Sequence, residues 1–337
     1  MWGHMKKRIK IRQDTLNSLI VDTMKDAVDQ YMLIDKRILS IDTKLKFNLY
    51  TNYEPTSISL FLQSYDVIDE TVKKRLSQIE DVFAKKTDKN KYDSFLESNI
   101  QDILQYDDLS MEEKTDIIYE SSSDLTQSLY ANPNALKNAK RSKNIVAPVL
   151  ESILYHNNTV SSYMKIIEYD YYTHTHSLNV SIYALCLGAW LELSEDELKV
   201  LGRSALLHDL GKSSIDPDIV NKPSKLTQEE YEIMKDHPSF GYESAQKIGI
   251  EDELLLDGIR HHHEKLNGLG YPDGLKGDEI SQFARIIGVC DVFDALTTKR
   301  SYKEGMKSFE ALALMKKEMS EHLDMDIVNS FIKMLHQ

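Results

Sequence analysis

Apolar positions along this chain change their spacing part-way. Up to about residue 99 they gather in short runs between polar residues: Met32-Leu33-Ile34, Lys46-Phe47-Asn48-Leu49-Tyr50 and Ser57-Ile58-Ser59-Leu60-Phe61-Leu62. Runs of this length and make-up predict strands. Ile68, Val72, Leu76 and Ile79 instead recur at helical spacing and predict a helix over Val67 to Val82, with Val82-Phe83-Ala84 as a further strand candidate. Residues 6–99 therefore read as a small α+β domain, and no His/Asp/Glu cluster or glycine-rich phosphate loop gives it chemistry.

From about Tyr92 to Asn157 the period is helical. Ser110-Met111-Glu112-Glu113 forms a capping box, and Asn132-Pro133-Asn134 marks a turn. Residues 100–157 read as a helical connector, a spacer or a dimer seam. Beyond Val160 the pattern stays helical up to a glycine-rich loop at Gly268 to Gly277. Stops fall at Gly211, Asp216-Pro217, Asn221-Lys222-Pro223 and Gly249, and Thr227 with Glu230 signals a helix start. The expected fold class is mostly α, with an all-helical domain over 158–337 behind the connector and the small α+β domain.

Composition narrows the function. A formal net charge of −13 argues against coating a DNA or RNA polymer, which needs a basic surface. It leaves room for a small anionic substrate, because a metal reverses the field locally. The longest apolar stretch, Val180 to Leu193, is too short for the ~20 residues of a bilayer span. Cys186 and Cys290 lie apart in apolar stretches and read as buried thiols of a reduced, cytoplasmic protein. Met1-Trp2-Gly3-His4-Met5 reads as an added remnant before a native Met5, so His4 is set aside from any metal argument.

The candidate chemistry lies in the C-terminal half. His176, His208, Asp209, His237, His262, His263 and Asp291 offer nitrogen and oxygen ligands suited to divalent iron, manganese, zinc or cobalt. Seven ligands exceed one mononuclear site and fit two metals that share a carboxylate. Asp209, directly after a histidine and carrying two oxygens, is the natural bridge. Two metals ~3.5–4 Å apart would hold a water of lowered pKa for in-line attack on phosphorus. Lys212, four residues after His208, shares its face if the helix continues, and there neutralises a phosphate oxygen. Arg300 and Lys303 add cations, and Tyr271 stands in the glycine-rich loop where it can meet a base or a phosphate.

Each of these residues has an ordinary reading alone. A His-Asp pair is commonly a surface ion pair, the His261-His262-His263 run can be an exposed polar run, and His237 before Pro238 can cap a helix. Asp291 and Asp294 can be buried ion pairs with Lys212 or Arg285. The cations can be solvated and Tyr271 can be a packed loop aromatic. The ordered set, with a glycine-rich loop inside it, fits those readings poorly.

The stretch from about Glu168 to Met315 resembles the HD-GYP phosphodiesterases. The resemblance is carried by Asp170-Tyr171-Tyr172-Thr173-His174-Thr175-His176-Ser177, Leu207-His208-Asp209-Leu210-Gly211-Lys212 and Lys235-Asp236-His237-Pro238. It continues through His262-His263-Glu264 to Gly270-Tyr271-Pro272, the Ala284–Thr297 segment, and Arg300-Ser301-Tyr302-Lys303. It implies an all-helical catalytic domain that opens cyclic di-GMP to pGpG, and sometimes onward to GMP, in a signalling role. By position, His176, His208, Asp209 and Asp291 hold one metal, and Asp209, His237, His262 and His263 hold the other. The resemblance also implies Lys212 at the scissile phosphate, Tyr271 at the nucleotide, Arg300 and Lys303 assisting, and Asp294 orienting Lys212. His261 is a neighbour rather than a ligand. Tyr172 stands where some members carry a glutamate for a third metal, so two metals are expected, iron or manganese being favoured. A homodimer through the connector is a further expectation, and the α+β domain weakly resembles the small domains that precede such enzymes.

Overall fold

The structure is a computed structural model. It describes residues 30–336 except 41, 55–56, 157, 170–174 and 299–304. Met1 to Met5, with His4, and Tyr172, Arg300 and Lys303 therefore lie outside the described residues. The chain forms two compact units, Met1–Asn99 and Ile100–Gln337.

In the first unit β1 (Tyr31–Ile34), β2 (Leu49–Glu54), β3 (Ser57–Leu62) and β4 (Val82–Lys85) make an antiparallel sheet in the order β1-β4-β2-β3. The second strand begins later than its apolar run because the Asn48 side chain turns to accept a hydrogen bond from the Ser64 amide at 2.7 Å. The predicted helix is shorter than Val67 to Val82. The Asp69 carboxylate accepts from the Val72 amide and starts α1 (Glu70–Gln78) there. Helix α2 (Lys89–Asn99) closes the unit.

The second unit is helical among its described residues. It runs α3 (Met111–Ala131), α4 (Asn138–Tyr155), α5 (Thr159–Tyr169), α6 (His176–Trp190) and α7 (Glu195–Leu207). It continues with α8 (Pro217–Val220), α9 (Gln228–Met234), α10 (His237–Lys247) and α11 (Glu253–His261), then α12 (Gln282–Thr297), α13 (Ser308–Glu318) and α14 (Met325–Leu335). Ser110 with Glu113, Ser194 with Glu197 and Thr227 with Glu230 form complete capping boxes at α3, α7 and α9. Helix α6 is buried from Ser177 to Gly188 and packs against α7, α12 and α14, so its apolar run is a core helix. Among the described residues, no helix is long and apolar enough to cross a membrane.

The helices between residues 100 and 156 belong to the same compact unit as those that follow. Ile117, Ile118, Leu125 and Leu129 of α3 and Ile145, Val146 and Val149 of α4 are buried, and α4 packs on α7.

One glycine sets the main approach. A Cβ on Gly211 would lie 2.0 Å from the His237 carbonyl oxygen and 2.3 Å from the Gly241 nitrogen. The turn after His208-Asp209 can thus lie directly on the start of α10, which brings His237 beside Asp209.

Candidate metal centre

The histidines sit at helix ends. His208 follows the last residue of α7, His262 follows the last residue of α11, and His237 and His176 open α10 and α6. Asp291 and Asp294 lie one turn apart on α12, and both are buried. This arrangement gathers six side chains into two triads. His176, His208 and Asp291 form one and His237, His262 and His263 the other, with the ligand atoms of each triad within 4.8 Å of one another.

Asp209 lies between the triads. Its Oδ2 is 3.6 Å from His176 Nε2 and 3.4 Å from His208 Nε2, and its Oδ1 is 3.4 Å from His237 Nε2. One carboxylate oxygen faces each triad.

Helix ends also fix the ring tautomers. The Nδ1 atoms of His208, His237 and His262 lie 2.7, 2.8 and 2.8 Å from the carbonyl oxygens of Ala205, Met234 and Ile259. A carbonyl only accepts, so each Nδ1 carries the proton and each Nε2 is left as a lone pair aimed inward. His176 is oriented through a side chain instead, with Nδ1 2.6 Å from Asp294 Oδ2, so that Nε2 faces inward. Such outer partners are the usual way a protein orients metal-binding imidazoles.

The inward-facing atoms fit a cation. His208 Nε2 and Asp209 Oδ1 are buried without a hydrogen-bond partner among the described residues. His237 Nε2 and His262 Nε2 face each other at 3.3 Å, lone pair to lone pair when both rings are neutral. Buried polar atoms left this way are costly unless something binds them. Divalent metals meet that need with nitrogen and oxygen ligands alone.

Electrostatics agree with neutral imidazoles around charged carboxylates. Burial lowers the pKa of His237 to about 4 and of His263 to about 3, and holds His262 well below the usual range. Burial alone would raise Asp209, but Lys212 and the neighbouring histidines outweigh it and keep the carboxyl well below the usual carboxylate range. Asp291 is likewise held low against burial, by its bond from His176 and by the charges of His263, His176 and His208. His176 differs: burial opposes protonation, yet its bonds to Asp291 and Asp294 raise it to about 10. Without a metal, a proton on His176 Nε2, 3.1 Å from Asp291 Oδ1, supplies the positive charge this corner attracts.

Two sequence expectations change here. A continuous helix from His208 to Lys212 does not form, because α7 stops at Leu207 and Leu210–Ser214 make a 3-10 turn. The turn still returns the Lys212 ammonium to Asp209, with Nζ 2.6 Å from Oδ2. The Asp294 carboxylate bonds His176 and not Lys212. The i, i+3 spacing on α12 turns Asp291 and Asp294 toward the same imidazole, while Asp209 holds the lysine. Arg285 bonds Asp324 at 2.9 Å and takes no part in the centre.

The glycine-rich loop covers one side of the centre. The Tyr271 ring lies 4.8 Å from the His263 ring and 6.5 Å from that of His237. Burial raises the pKa of its hydroxyl, which keeps the proton and can donate. The loop is clamped by Glu264, whose buried carboxylate accepts from the amides of Asp273, Gly274 and Leu275 at 2.7, 3.0 and 3.1 Å. Gly270 makes this close approach possible, since a Cβ there would lie 2.4 Å from Glu264 Cα. His261 joins neither triad: its two ring nitrogens bond Asp257 and Asp273, and Arg260 also holds Asp273. Sequence reasoning gave Glu264 no role because its partners are backbone amides, which no side-chain pattern reveals.

A family model described as HD domain matches residues 142–327, more than half of the chain. The chain belongs to the HD domain family. Among curated relatives, it is 36% identical over 189 residues to a cyclic di-GMP phosphodiesterase of Pseudomonas aeruginosa, covering 56% of this chain and 45% of that protein. It is 31% identical over 228 residues to a cyclic di-GMP phosphodiesterase response regulator of Xanthomonas campestris pv. campestris, covering 67% and 56%. A 3'3'-cGAMP-specific phosphodiesterase of Vibrio cholerae is 36% identical over 165 residues, covering 49% and 36%. The chain thus spans about half the length, or less, of these relatives. In structure it is similar to an HDG"Y"P protein of Bdellovibrio bacteriovorus, with a TM-score of 0.65 and 22% identity over 91% of this chain and 100% of that one. This likeness extends the agreement in fold beyond the HD domain itself.

Proposed function

We propose that this HD domain protein is a metal-dependent phosphodiesterase that opens cyclic di-GMP to pGpG, with GMP as the product of a second cut. The observation that carries the reading is Asp209, set between two ligand triads with one oxygen toward each. His176, His208 and Asp291 would hold one divalent metal and His237, His262 and His263 the other, with Asp209 shared. Iron or manganese suits the all-nitrogen and oxygen ligand set. Bound there, such a pair supplies Lewis-acid polarisation of a phosphate and lowers the pKa of water.

The side chains of the chain do the rest. Asp294 holds His176 in the tautomer that presents Nε2 to the centre. The Lys212 side chain is 34% exposed, so its ammonium can exchange Asp209 for a non-bridging phosphate oxygen as charge builds. Tyr271, positioned beside His263, offers a ring face and a hydroxyl to a nucleotide. Arg300 and Lys303 are proposed as further phosphate contacts on sequence alone. The buried, unpaired thiols of Cys186 and Cys290 favour a reducing, cytoplasmic setting.

A second substrate also has support among the relatives, because the Vibrio cholerae protein specific for 3'3'-cGAMP matches at the same 36% identity, though over a shorter stretch. Incubating manganese- or iron-loaded protein with each cyclic dinucleotide and separating the products decides between them. Linear product from cyclic di-GMP supports the main reading, and faster turnover of 3'3'-cGAMP replaces it with the second. Tight nucleotide binding with no hydrolysis of either would make the protein a binding module.

A further inference from the structure

We infer that Tyr119 and Tyr130 of α3 are positioning residues for the metal centre, fixing His176 and His208 relative to each other. The inference rests on the reading of His176, His208 and Asp291 as one of two metal sites. Both tyrosines precede residue 142, where the matched family region begins, so the HD domain signature does not contain them.

The two hydroxyls reach the two ligand-bearing helices. Tyr130 donates to the Leu206 carbonyl at 2.9 Å, two residues before His208. The phenol therefore holds the chain just ahead of His208 and Asp209. Tyr119 donates to Asn179 Oδ1 at 2.8 Å, about one turn beyond His176 on α6, and both side chains are buried. The two tyrosines lie about three turns apart on α3 and so share one face of that helix.

The chemistry at the end of α7 explains why a donor is needed there. The last carbonyls of a helix lack intrahelical partners. The Ala205 carbonyl is taken by the His208 ring, and its neighbour Leu206 is taken by Tyr130. A loss of the phenol lets the segment carrying His208 and Asp209 shift relative to α3, which Tyr119 ties to α6 and so to His176. Loss of a group bonded directly to a metal ligand weakens metal binding about 10- to 100-fold, and Tyr130 acts one bond further out, so the low end of that range is expected.

Mn²⁺ titration of metal-free protein, followed by electron paramagnetic resonance, tests this. The Mn²⁺ count on the wild-type chain checks the two-site reading by itself. The Tyr130→Phe change is then made in two backgrounds: His263→Ala, which leaves the His176 triad intact, and His176→Ala, which leaves the other triad intact. We expect Mn²⁺ affinity to fall about 10-fold in the His263→Ala background and to stay within about twofold in the His176→Ala background. Tyr119→Phe should move affinity in the same direction and on the same site. Equal weakening in both backgrounds means general destabilisation and overturns the inference, as does no weakening in either.

Discussion

Asp294 Oδ2 lies 2.6 Å from His176 Nδ1, and this contact decides how the first triad works. It ties α12 to the start of α6 and fixes which ring nitrogen faces Asp291 and Asp209. Asp294→Asn keeps an acceptor but removes the charge. Metal affinity at the His176 triad should fall about 10-fold or more, with the His237 triad unchanged. Titration in the His263→Ala background reads this directly, and unchanged affinity would sink the assignment.

Asp209 faces both triads, so its removal should empty both. Asp209→Ala is expected to drop metal content below one per chain and activity by at least ~100-fold. Elemental analysis gives the stoichiometry. Two metals retained per chain would contradict the bridge.

The metal-free chain should show opposed pH effects. His176, raised from 6.5 to about 10, contributes stability that is full below 6.5 and lost as pH rises toward about 10. His237 and His263, lowered from 6.5 to about 4 and about 3, contribute stability present above 6.5 and lost as pH falls through those values. Thermal stability of the metal-free protein should therefore peak near 6.5 and decline on both sides. Added Mn²⁺ replaces the His176 proton, so the alkaline decline should shrink. Melting curves across the range, with and without Mn²⁺, check this; parallel alkaline slopes would rule it out.

Glu264→Gln should loosen the loop that carries Tyr271. The amide can still accept, but its NH₂ then faces the Leu275 N–H, leaving a half-buried donor unpaired at a cost of about 1 kcal/mol. Urea unfolding measures the loss, and hydrogen exchange at Asp273, Gly274 and Leu275 locates it. Substrate KM should rise several-fold with metal content intact. If Tyr271 transmits the effect, most of that rise should vanish in a Tyr271→Ala background.

Much of this protein was legible as a sequence. Spacing alone separated a strand-bearing first unit from a helical second one, and the capping boxes at Ser110 and Thr227 formed as their residues predict. Those signals are local, set within a turn of chain. The seven candidate ligands were legible for a related reason: their residue types are poor core and poor surface choices in combination, whatever the fold. Only the tertiary structure could sort six of them into two triads around Asp209, because that depends on helices α6, α7, α10, α11 and α12 meeting at their ends and faces. It also moved Asp294 from Lys212 to His176, gave Glu264 its loop, and drew the helices of 100–157 into the second unit. In each of these cases the partner is a backbone group or a residue distant in sequence. A periodic pattern records which face of an element is apolar, but not which neighbour covers it.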